Sequence, residues 1–268
     1  LYGDSAFEVL RTYGGQPFAV RWHLERLRAS CEQLGIPLPV DDATLRRELA
    51  LGLERAANAE SYVRLIVTRG VTPLGLDLDR PARPRRIVVV TPFRSSAAPE
   101  LYERGGALAT VTMARALDGT GAAGAKASNY LPNILSLAAA KERGADEAIS
   151  VGPSGELLEG STSNLFLVHG QEVSTPPLGI GILGGITRRV VLEAAAEEGV
   201  PVRQRLLFPP DLYRADEAFI TSSLREIVPM VRADGVPLGE GRPGPLTRRL
   251  QAAFRRRAAA ILDAERAG

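Results

Sequence analysis

The order of apolar and polar residues predicts short strands and amphipathic helices that alternate along the chain. Residues 5–12, 61–68 and 86–91 carry the apolar and β-branched pattern typical of strands. A glycine turn after the first of these predicts a second, short strand at 17–20. A helix is predicted from His23 to about Leu34, because four apolar residues recur there at helical spacing: Leu24, Leu27, Cys31 and Leu34.

The rest of the chain continues this mixture. A second helix begins with an acidic first turn at 41–44. Further strands are predicted at 107–114, 147–151, 164–168 and 218–221, and further helices at 131–144, 187–199 and from about Pro245. A polar stretch punctuated by Gly and Pro separates two such blocks. We therefore predict an α+β fold with two domains, 1–97 and 107–268, joined by a linker at 98–106.

Composition excludes several classes of protein. With 268 residues, 45% apolar and 24% charged, the chain can build a substantial core. An aromatic content of 5% and a net charge of +2 argue against a nucleic-acid partner. One cysteine and two histidines leave little for a disulfide or a metal site, and we expect neither. No apolar run has membrane-spanning length, so we expect a cytoplasmic protein without a membrane partner.

Lysine is rare in this chain. Among 33 basic residues only Lys126 and Lys141 are lysine, and the others are arginine. Guanidinium stays protonated, so an amine that loses and regains a proton, or forms a Schiff base, must be lysine. Lys141 lies near a helix end marked by Gly144, where a cation meets the negative helix terminus. Lys126 follows a run of small residues that admits another group closely, and a plain surface lysine is the alternative.

Several other residues have both a solvated and a functional interpretation. Glu159 precedes a run of small residues and is either a loop acid or the partner of a protonated ring nitrogen. Arg26 lies off the apolar face of its helix and is either exposed or a bidentate phosphate ligand. Tyr62 and Arg64 share one side of a strand. A buried arginine there needs a carboxylate, from the protein or from a substrate.

A glycine-rich segment resembles the dinucleotide fingerprint, since Gly179, Gly181 and Gly184 fit G-x-G-x-x-G. Two prolines precede it where that fingerprint requires a buried strand, so we discount the match. Amides at Ile186 and Thr187, at the start of the next helix, could hold a phosphate instead. An ordinary capped helix is the alternative. The arginines near the C-terminus are expected to form the polar face of an amphipathic helix.

Taken in order, these motifs resemble the class IV aminotransferases, the pyridoxal-phosphate enzymes of fold type IV. The resemblance spans nearly the whole chain and rests on joint order and spacing. The segments that carry it are Gly3-Asp4-Ser-Ala-Phe7-Glu8, His23-x-x-Arg26-Leu27, Lys126-x-x-Asn129-Tyr130-Leu131, Glu159-Gly-x-x-x-Asn164-Leu-Phe166, Gly185-Ile186-Thr187-Arg188 and Phe219-Ile-Thr-Ser-Ser223-Leu-Arg-Glu226-Ile-x-Pro229. It implies a smaller N-terminal domain and a larger C-terminal domain that binds the cofactor.

The resemblance also implies roles. Lys126 would form the Schiff base with pyridoxal 5′-phosphate and move a proton between substrate Cα and cofactor C4′. Glu159 would keep the pyridine nitrogen protonated, and Tyr130 would hydrogen-bond the ring hydroxyl. The phosphate ligands would be Arg26, the amides of Ile186 and Thr187, and Ser223, where the family usually has threonine.

Within the family, Tyr62-Val-Arg64 resembles the Tyr-x-Arg pattern of branched-chain aminotransferases, with Phe7 and Leu224 bordering the same pocket. The loop at 69–76 lacks the Arg-x-His trap of D-amino-acid aminotransferases, but it also departs from the branched-chain pattern. The spacing from lysine to tyrosine is closer to the D-amino-acid and lyase branches. We predict a homodimeric transaminase that passes amino groups from L-branched-chain or related hydrophobic amino acids to 2-oxoglutarate. The alternatives are an aminodeoxychorismate lyase, a D-amino-acid or (R)-amine transaminase, and a non-catalytic phosphate- or nucleotide-binding protein.

Overall fold

The computed structural model describes residues 3–71, 83–95, 97–112 and 120–267. They belong to two compact units, one within Leu1–Arg94 and Gly119–Asn129, the other within Ser95–Asp118 and Tyr130–Gly268. The segment that carries Lys126 therefore packs with the N-terminal unit. The domain boundaries proposed from the sequence, 1–97 and 107–268, stay a prediction.

The first unit is an antiparallel sheet with helices packed on it. Its elements are β1 (Ser5–Tyr13), β2 (Gln16–Pro17), α1 (Val20–Gln33), α2 (Asp42–Ala56), β3 (Ser61–Thr68) and β4 (Arg85–Pro92). The strand order is β2-β1-β3-β4. Residues of β3 are alternately buried and partly exposed, because successive side chains point to opposite faces. The buried set, including Leu10, Leu24, Leu27 and Val63, forms the core of this unit.

The short strand predicted at 17–20 is wrong in extent. Only Gln16 and Pro17 pair with β1. Ala19 adopts a left-handed conformation with φ 52°, and α1 already begins at Val20. The apolar residues from Phe18 to Val20 are buried at the start of this helix. A short apolar run fits a strand or a buried helical turn equally well, and packing decides between them.

The second unit is a larger mixed sheet flanked by helices. Its helices are α3 (Pro99–Arg104), α4 (Leu131–Glu142), α5 (Ile186–Glu197), α6 (Pro209–Tyr213) and α7 (Pro245–Ala267). Its strands are β5 (Gly106–Thr112), β6 (Glu147–Val151), β7 (Leu157–Gly160), β8 (Asn164–His169), β9 (Glu172–Thr175), β10 (Val202–Gln204), β11 (Glu217–Ser222), β12 (Glu226–Ala233) and β13 (Val236–Pro237). In the part of the chain described, the sheet runs β10-β9-β8-β11-β12-β5-β6-β7, with β13 beside β12. Within residues 98–106, expected as a linker, α3 forms and β5 starts.

This sheet buries a continuous apolar cluster that includes Ile149, Leu157, Leu165 and Ile220. The sequence patterns did not predict β7, β9, β10, β12 or β13. Strand β12 contains Pro229, which lacks an amide hydrogen and weakens a strand prediction. Among the described residues, no helix is long and apolar enough to cross a membrane.

Candidate active site

A buried acid in the first unit is held by two basic residues of α1. Glu8 lies in β1 with a fully buried side chain, and His23 is equally buried. Arg26 donates from Nε to Glu8 Oε1 and from Nη2 to Oε2, each at 2.7 Å. His23 Nδ1 lies 2.7 Å from Glu8 Oε2. The helical spacing of His23 and Arg26 puts both on the face that meets β1.

The protonation states of Glu8 and His23 follow from their burial and their hydrogen bonds. Burial alone would raise the pKa of Glu8, but the charge and hydrogen bonds of Arg26 and the hydrogen bond of His23 lower it to about 2. Burial lowers the pKa of His23, although Glu8 opposes this. An ionised carboxylate only accepts, so Nδ1 of His23 carries the proton. Its Nε2 is buried without a hydrogen-bond partner among the described residues, as suits a neutral ring.

The main chain around Lys126 lies antiparallel to the start of β1. The amide of Phe7 donates to the Lys126 carbonyl, and the amide of Ser128 donates to the Ser5 carbonyl, both at 2.9 Å. The amide of Lys126 donates to Ser30 Oγ of α1 at 3.0 Å. Its amine Nζ lies 4.5 Å from the centre of the Phe7 ring. Sheet and helix contacts thus fix the backbone of Lys126, for which a plain surface lysine was the alternative interpretation.

The Phe7 ring also meets the arginine expected to bind substrate. Arg64 Cζ lies 4.1 Å from the ring centre. Phe7 pairs with Ile66 across β1 and β3, so Arg64 occupies a diagonal position on the neighbouring strand. Tyr62 and Arg64 alternate with buried Val63, and therefore share the face turned away from the core. The buried Nε of Arg64 has no hydrogen-bond partner in the described part of the chain.

In the second unit, Glu159 and Asn164 hold the segment that leads into α5. Leu183 donates its amide to Glu159 Oε2 at 3.0 Å, and its carbonyl accepts from Asn164 Nδ2 at 2.9 Å. Gly185 is the N-cap of α5, and a Cβ there would lie only 2.0 Å from Asn164 Oδ1. The helix start is thereby pressed against β8, with Ile186 and Thr187 buried.

The N-terminus of α5 suits an anion. Its N-cap is glycine, so no side chain caps the first turn, and that turn holds no acidic residue. Amides of a first turn lack partners within the helix and carry the positive end of its dipole. The glycine-rich segment before it forms a short 3-10 helix, Leu178–Ile180.

The other predicted residues lie close to element ends. Ser223 and Leu224 lie in the turn between β11 and β12, and both are partly exposed. Tyr130 is the residue immediately before α4. Two hydroxyl groups that the sequence did not single out, Ser161 Oγ and Thr221 Oγ1, are buried without hydrogen-bond partners among the described residues. Lys141 lies in the last turn of α4 with its amine 3.7 Å from Asp146, in agreement with the structural role expected for it.

Sequence reasoning missed the importance of Glu8, His23, Glu147 and Arg225. Glu8 interrupts an apolar strand, which is a usable signal. Glu147 is buried as the first residue of β6, and Arg225 reaches it from a turn far along the chain. No sequence pattern near either residue predicts the contact between Glu147 and Arg225. Part of the loop at 69–76, which bears on substrate choice, lies outside the described residues.

Residues 5–233 match the model of the amino-transferase class IV family. The match covers most of the chain, which therefore belongs to this family. It is an aminotransferase and uses pyridoxal 5′-phosphate. The family is enzymatic, so the interpretation as a non-catalytic phosphate-binding protein is not retained.

Solved structures and sequence relatives that resemble this chain include aminotransferases. The chain is 32% identical to a branched-chain amino acid aminotransferase from Escherichia coli, with a TM-score of 0.89, covering 94% of this chain and 85% of that one. A branched-chain aminotransferase from the archaeon Thermoproteus uzoniensis, solved with norvaline, has a TM-score of 0.88 at 30% identity, covering 98% and 86%. The D-alanine aminotransferase of Bacillus licheniformis is 32% identical over 254 residues, covering 94% of this chain and 87% of its own.

Proposed function

We propose that this aminotransferase moves amino groups from L-branched-chain or related hydrophobic amino acids to 2-oxoglutarate, in the cytoplasm. The observation that carries the proposal is Arg64. Its buried Nε has no hydrogen-bond partner among the described residues, and Arg64 Cζ and Lys126 Nζ lie 4.1 and 4.5 Å from the centre of the Phe7 ring. A buried donor without a hydrogen-bond partner is costly. A substrate carboxylate supplies the missing partner, at the aromatic ring that the Lys126 amine also contacts.

The residues of the second unit fit the phosphate and ring of the cofactor. The α5 N-terminus offers main-chain donors without a side-chain cap. Ser223 adds a hydroxyl from the β11–β12 turn. In the first unit, Arg26 adds a guanidinium whose direction Glu8 fixes through two hydrogen bonds. We assign these groups, with the amides of Ile186 and Thr187, to the phosphate.

When bound, the cofactor supplies an electron sink that stabilises negative charge at the substrate Cα. Glu159 would hold a proton on the pyridine nitrogen, and the Leu183 amide orients its carboxylate by donating to Oε2. Tyr130 would hydrogen-bond the ring hydroxyl. The Lys126 amine would hold the cofactor and would act as the base for the substrate Cα proton. The Phe7 amide donates to the Lys126 carbonyl, and the Ser128 amide joins the same segment to the Ser5 carbonyl.

We assign substrate selection to residues around the substrate that are mainly apolar, with polar residues on one side. Arg64 and Tyr62, on one face of β3, bind the carboxylate. Phe7 and Leu224 border the side chain and favour apolar donors. The relatives named as branched-chain aminotransferases support this choice. The D-alanine aminotransferase of equal identity supports the alternative, a D-amino-acid transaminase.

We further propose a homodimer. On α4, directly after the Lys126 segment, three large apolar side chains are exposed at helical spacing: Leu131 at 61%, Ile134 at 61% and Leu135 at 49%. An apolar stripe of this kind is typical of a covered surface. A second copy of this chain covers it in the arrangement we propose.

The variant Lys126→Ala tests the site. We expect turnover to be lost and the visible absorbance of the bound cofactor to change, while phosphate-anchored cofactor remains partly bound. The matched control is Lys141→Ala, which removes the other lysine and should retain wild-type turnover. Full activity of Lys126→Ala would end the assignment of this lysine.

A panel of amino donors tests the substrate. With 2-oxoglutarate as acceptor, L-leucine should exceed D-alanine and (R)-1-phenylethylamine in kcat/KM. A preference for either of the latter two would support the D-amino-acid or (R)-amine rival instead. Aminodeoxychorismate without any amino acceptor tests the lyase, because only lyase chemistry releases pyruvate under that condition.

A further inference from the structure

A buried ion pair lies outside the residues assigned above. Glu147, at the start of β6, is 1% exposed, and Arg225, in the turn between β11 and β12, has a side chain 14% exposed. Arg225 Nη2 donates to Glu147 Oε2 at 2.6 Å. Charge-assisted bonds of this length in a dry environment are strong and directional.

Glu147 also holds the turn that follows Glu159. The amide of Ser161 donates to Glu147 Oε1 at 3.0 Å, and Ser163 Oγ donates to Oε2 at 3.0 Å. The same turn receives Arg225, whose Nη2 donates to Thr162 Oγ1 at 2.8 Å. Three consecutive residues of this turn are thus bonded to the two members of the ion pair.

Arg225 equally fixes its own turn. Its Nε donates to Ser222 Oγ at 3.3 Å, and its carbonyl accepts from the Tyr102 hydroxyl at 3.0 Å. Its amide donates to the Ser222 carbonyl at 3.2 Å. The next residue, Glu226, has φ 55°, a conformation that a non-glycine residue rarely adopts unless its surroundings enforce it. Ser223 lies inside this constrained turn.

We propose that Glu147 and Arg225 are positioning residues that lock the Ser223 turn to the turn after Glu159, so that the phosphate-binding hydroxyl is held ready. The proposal rests on the function proposed above. A buried ion pair adds little net stability compared with apolar residues of similar volume. Its value here is geometric, because it joins the turn that follows Glu159 to the turn that contains Ser223, and both of these residues are assigned to the cofactor. Removal of one partner also leaves the other buried and unpaired, which destabilises the fold, so the test separates a specific loss of phosphate binding from a general loss of stability.

The test compares pyridoxal 5′-phosphate with unphosphorylated pyridoxal as ligands of the full chain stripped of cofactor. In Arg225→Met we expect the dissociation constant for pyridoxal 5′-phosphate to rise at least about tenfold, the effect of losing the hydrogen bond between the displaced Ser223 hydroxyl and the charged phosphate. The constant for pyridoxal should stay within about twofold, because pyridoxal lacks the group that the turn binds. Glu147→Gln should raise the same dissociation constant, because the glutamine amide lacks the negative charge that pairs with Arg225. It is the substitute test if Arg225→Met does not fold.

The matched control is Arg249→Met, which breaks an Arg–Glu pair between α7 and Glu198 at 2.9 Å, away from both turns. It should bind both ligands like the wild type. Equal weakening of both ligands by Arg225→Met, with a lower unfolding temperature, would show a structural role only and overturn the proposal. Unchanged binding of pyridoxal 5′-phosphate would overturn it as well. A wild type that binds no pyridoxal 5′-phosphate would instead overturn the proposed site itself.

Discussion

Glu8 and Arg64 lie on neighbouring strands of one sheet, but their side chains differ in how far the protein supplies hydrogen-bond partners. Glu8 accepts hydrogen bonds from two basic side chains, and its pKa falls to about 2. Arg64 faces an aromatic ring, with its buried Nε left without a hydrogen-bond partner in the described residues. The fold uses the Glu8 carboxylate fully, whereas the unpaired Nε of Arg64 leaves a hydrogen-bond donor for a ligand.

The variant Arg64→Gln should therefore impair substrate binding. We expect KM for both the amino acid and the 2-oxo acid to rise about 10- to 100-fold, the range for a lost charged hydrogen bond. Steady-state kinetics with varied donor and acceptor measures this. The control is Arg86→Gln, which removes an arginine of β4 in the same sheet that pairs with Glu48 of α2. It should keep both KM values. Unchanged KM in Arg64→Gln would exclude Arg64 as the carboxylate ligand.

His23 predicts a pH dependence of stability. Burial lowers its pKa below the ordinary 6.5, while Glu8 acts the other way and the charges of Arg26 and Lys126 lower it further. The unfolded chain then takes up a proton before the folded one does. The stabilisation is complete above pH 6.5 and is lost as pH falls toward the folded pKa. Glu8 contributes in the same direction in a lower window, from 4.5 down to about 2.

Denaturant unfolding at pH 5 to 7 checks this prediction. The free energy of unfolding should fall with decreasing pH, with a slope from His23 of at most about 1.4 kcal/mol per pH unit. His23→Asn can still donate to Glu8 but does not titrate, so its slope should be shallower. Equal slopes for the variant and the wild type would mean that His23 is not held neutral.

At the scale of elements, the proposed phosphate site depends on where α5 begins. Its N-cap, Gly185, has an ordinary φ of −63°, so glycine is not required there for backbone freedom. It is required for space, because a Cβ would lie 2.0 Å from Asn164 Oδ1. The close approach of α5 to β8 therefore sets the position of the Ile186 and Thr187 amides.

Gly185→Ala should displace the start of α5. We expect a loss of about 1–3 kcal/mol in unfolding free energy, as for other overpacked contacts, together with weaker binding of pyridoxal 5′-phosphate. Thermal unfolding and cofactor titration measure the two effects. Gly179→Ala is the matched control, because a Cβ at Gly179 meets nothing within 4 Å. If both alanine variants behave alike, the spacing of α5 from Asn164 is not what positions the amides.

At the scale of the whole molecule, the exposed stripe on α4 bears on assembly. Burying large apolar side chains removes surface from water and favours association. Helix α4 begins directly after Tyr130, so the proposed dimer contact would follow the Lys126 segment closely in the sequence.

Ile134→Glu should disrupt the proposed dimer. A buried carboxylate without a partner opposes association, so sedimentation should show monomers at concentrations where the wild type is dimeric. Leu51→Glu, which places the same charge at an exposed position 46% accessible on α2, should leave the dimer intact. A monomeric wild type, or a dimeric Ile134→Glu variant, would contradict the assignment of this face.

The sequence predicted those elements whose pattern is local and strong. Helix α1, with apolar residues at helical spacing, and strand β3, with its alternation, were found close to their bounds. Family membership also followed from the sequence, through motifs such as Glu159-Gly-x-x-x-Asn164, and the family match confirms it. Strand β12 was missed, because Pro229 in its interior argues against a strand until two neighbouring strands pair with it.

By itself, the sequence determined that an unusual lysine exists and which family the chain belongs to, because residue types and their spacing are local properties. Only the tertiary structure decided how those residues are held. The Lys126 segment lies along β1, a strand more than a hundred positions earlier, through the bond from the Phe7 amide to the Lys126 carbonyl and the bond from the Ser128 amide to the Ser5 carbonyl. Glu147 meets Arg225 in the same way, 78 positions apart. Such contacts depend on packing between distant segments, and neither partner carries a local signal of the other.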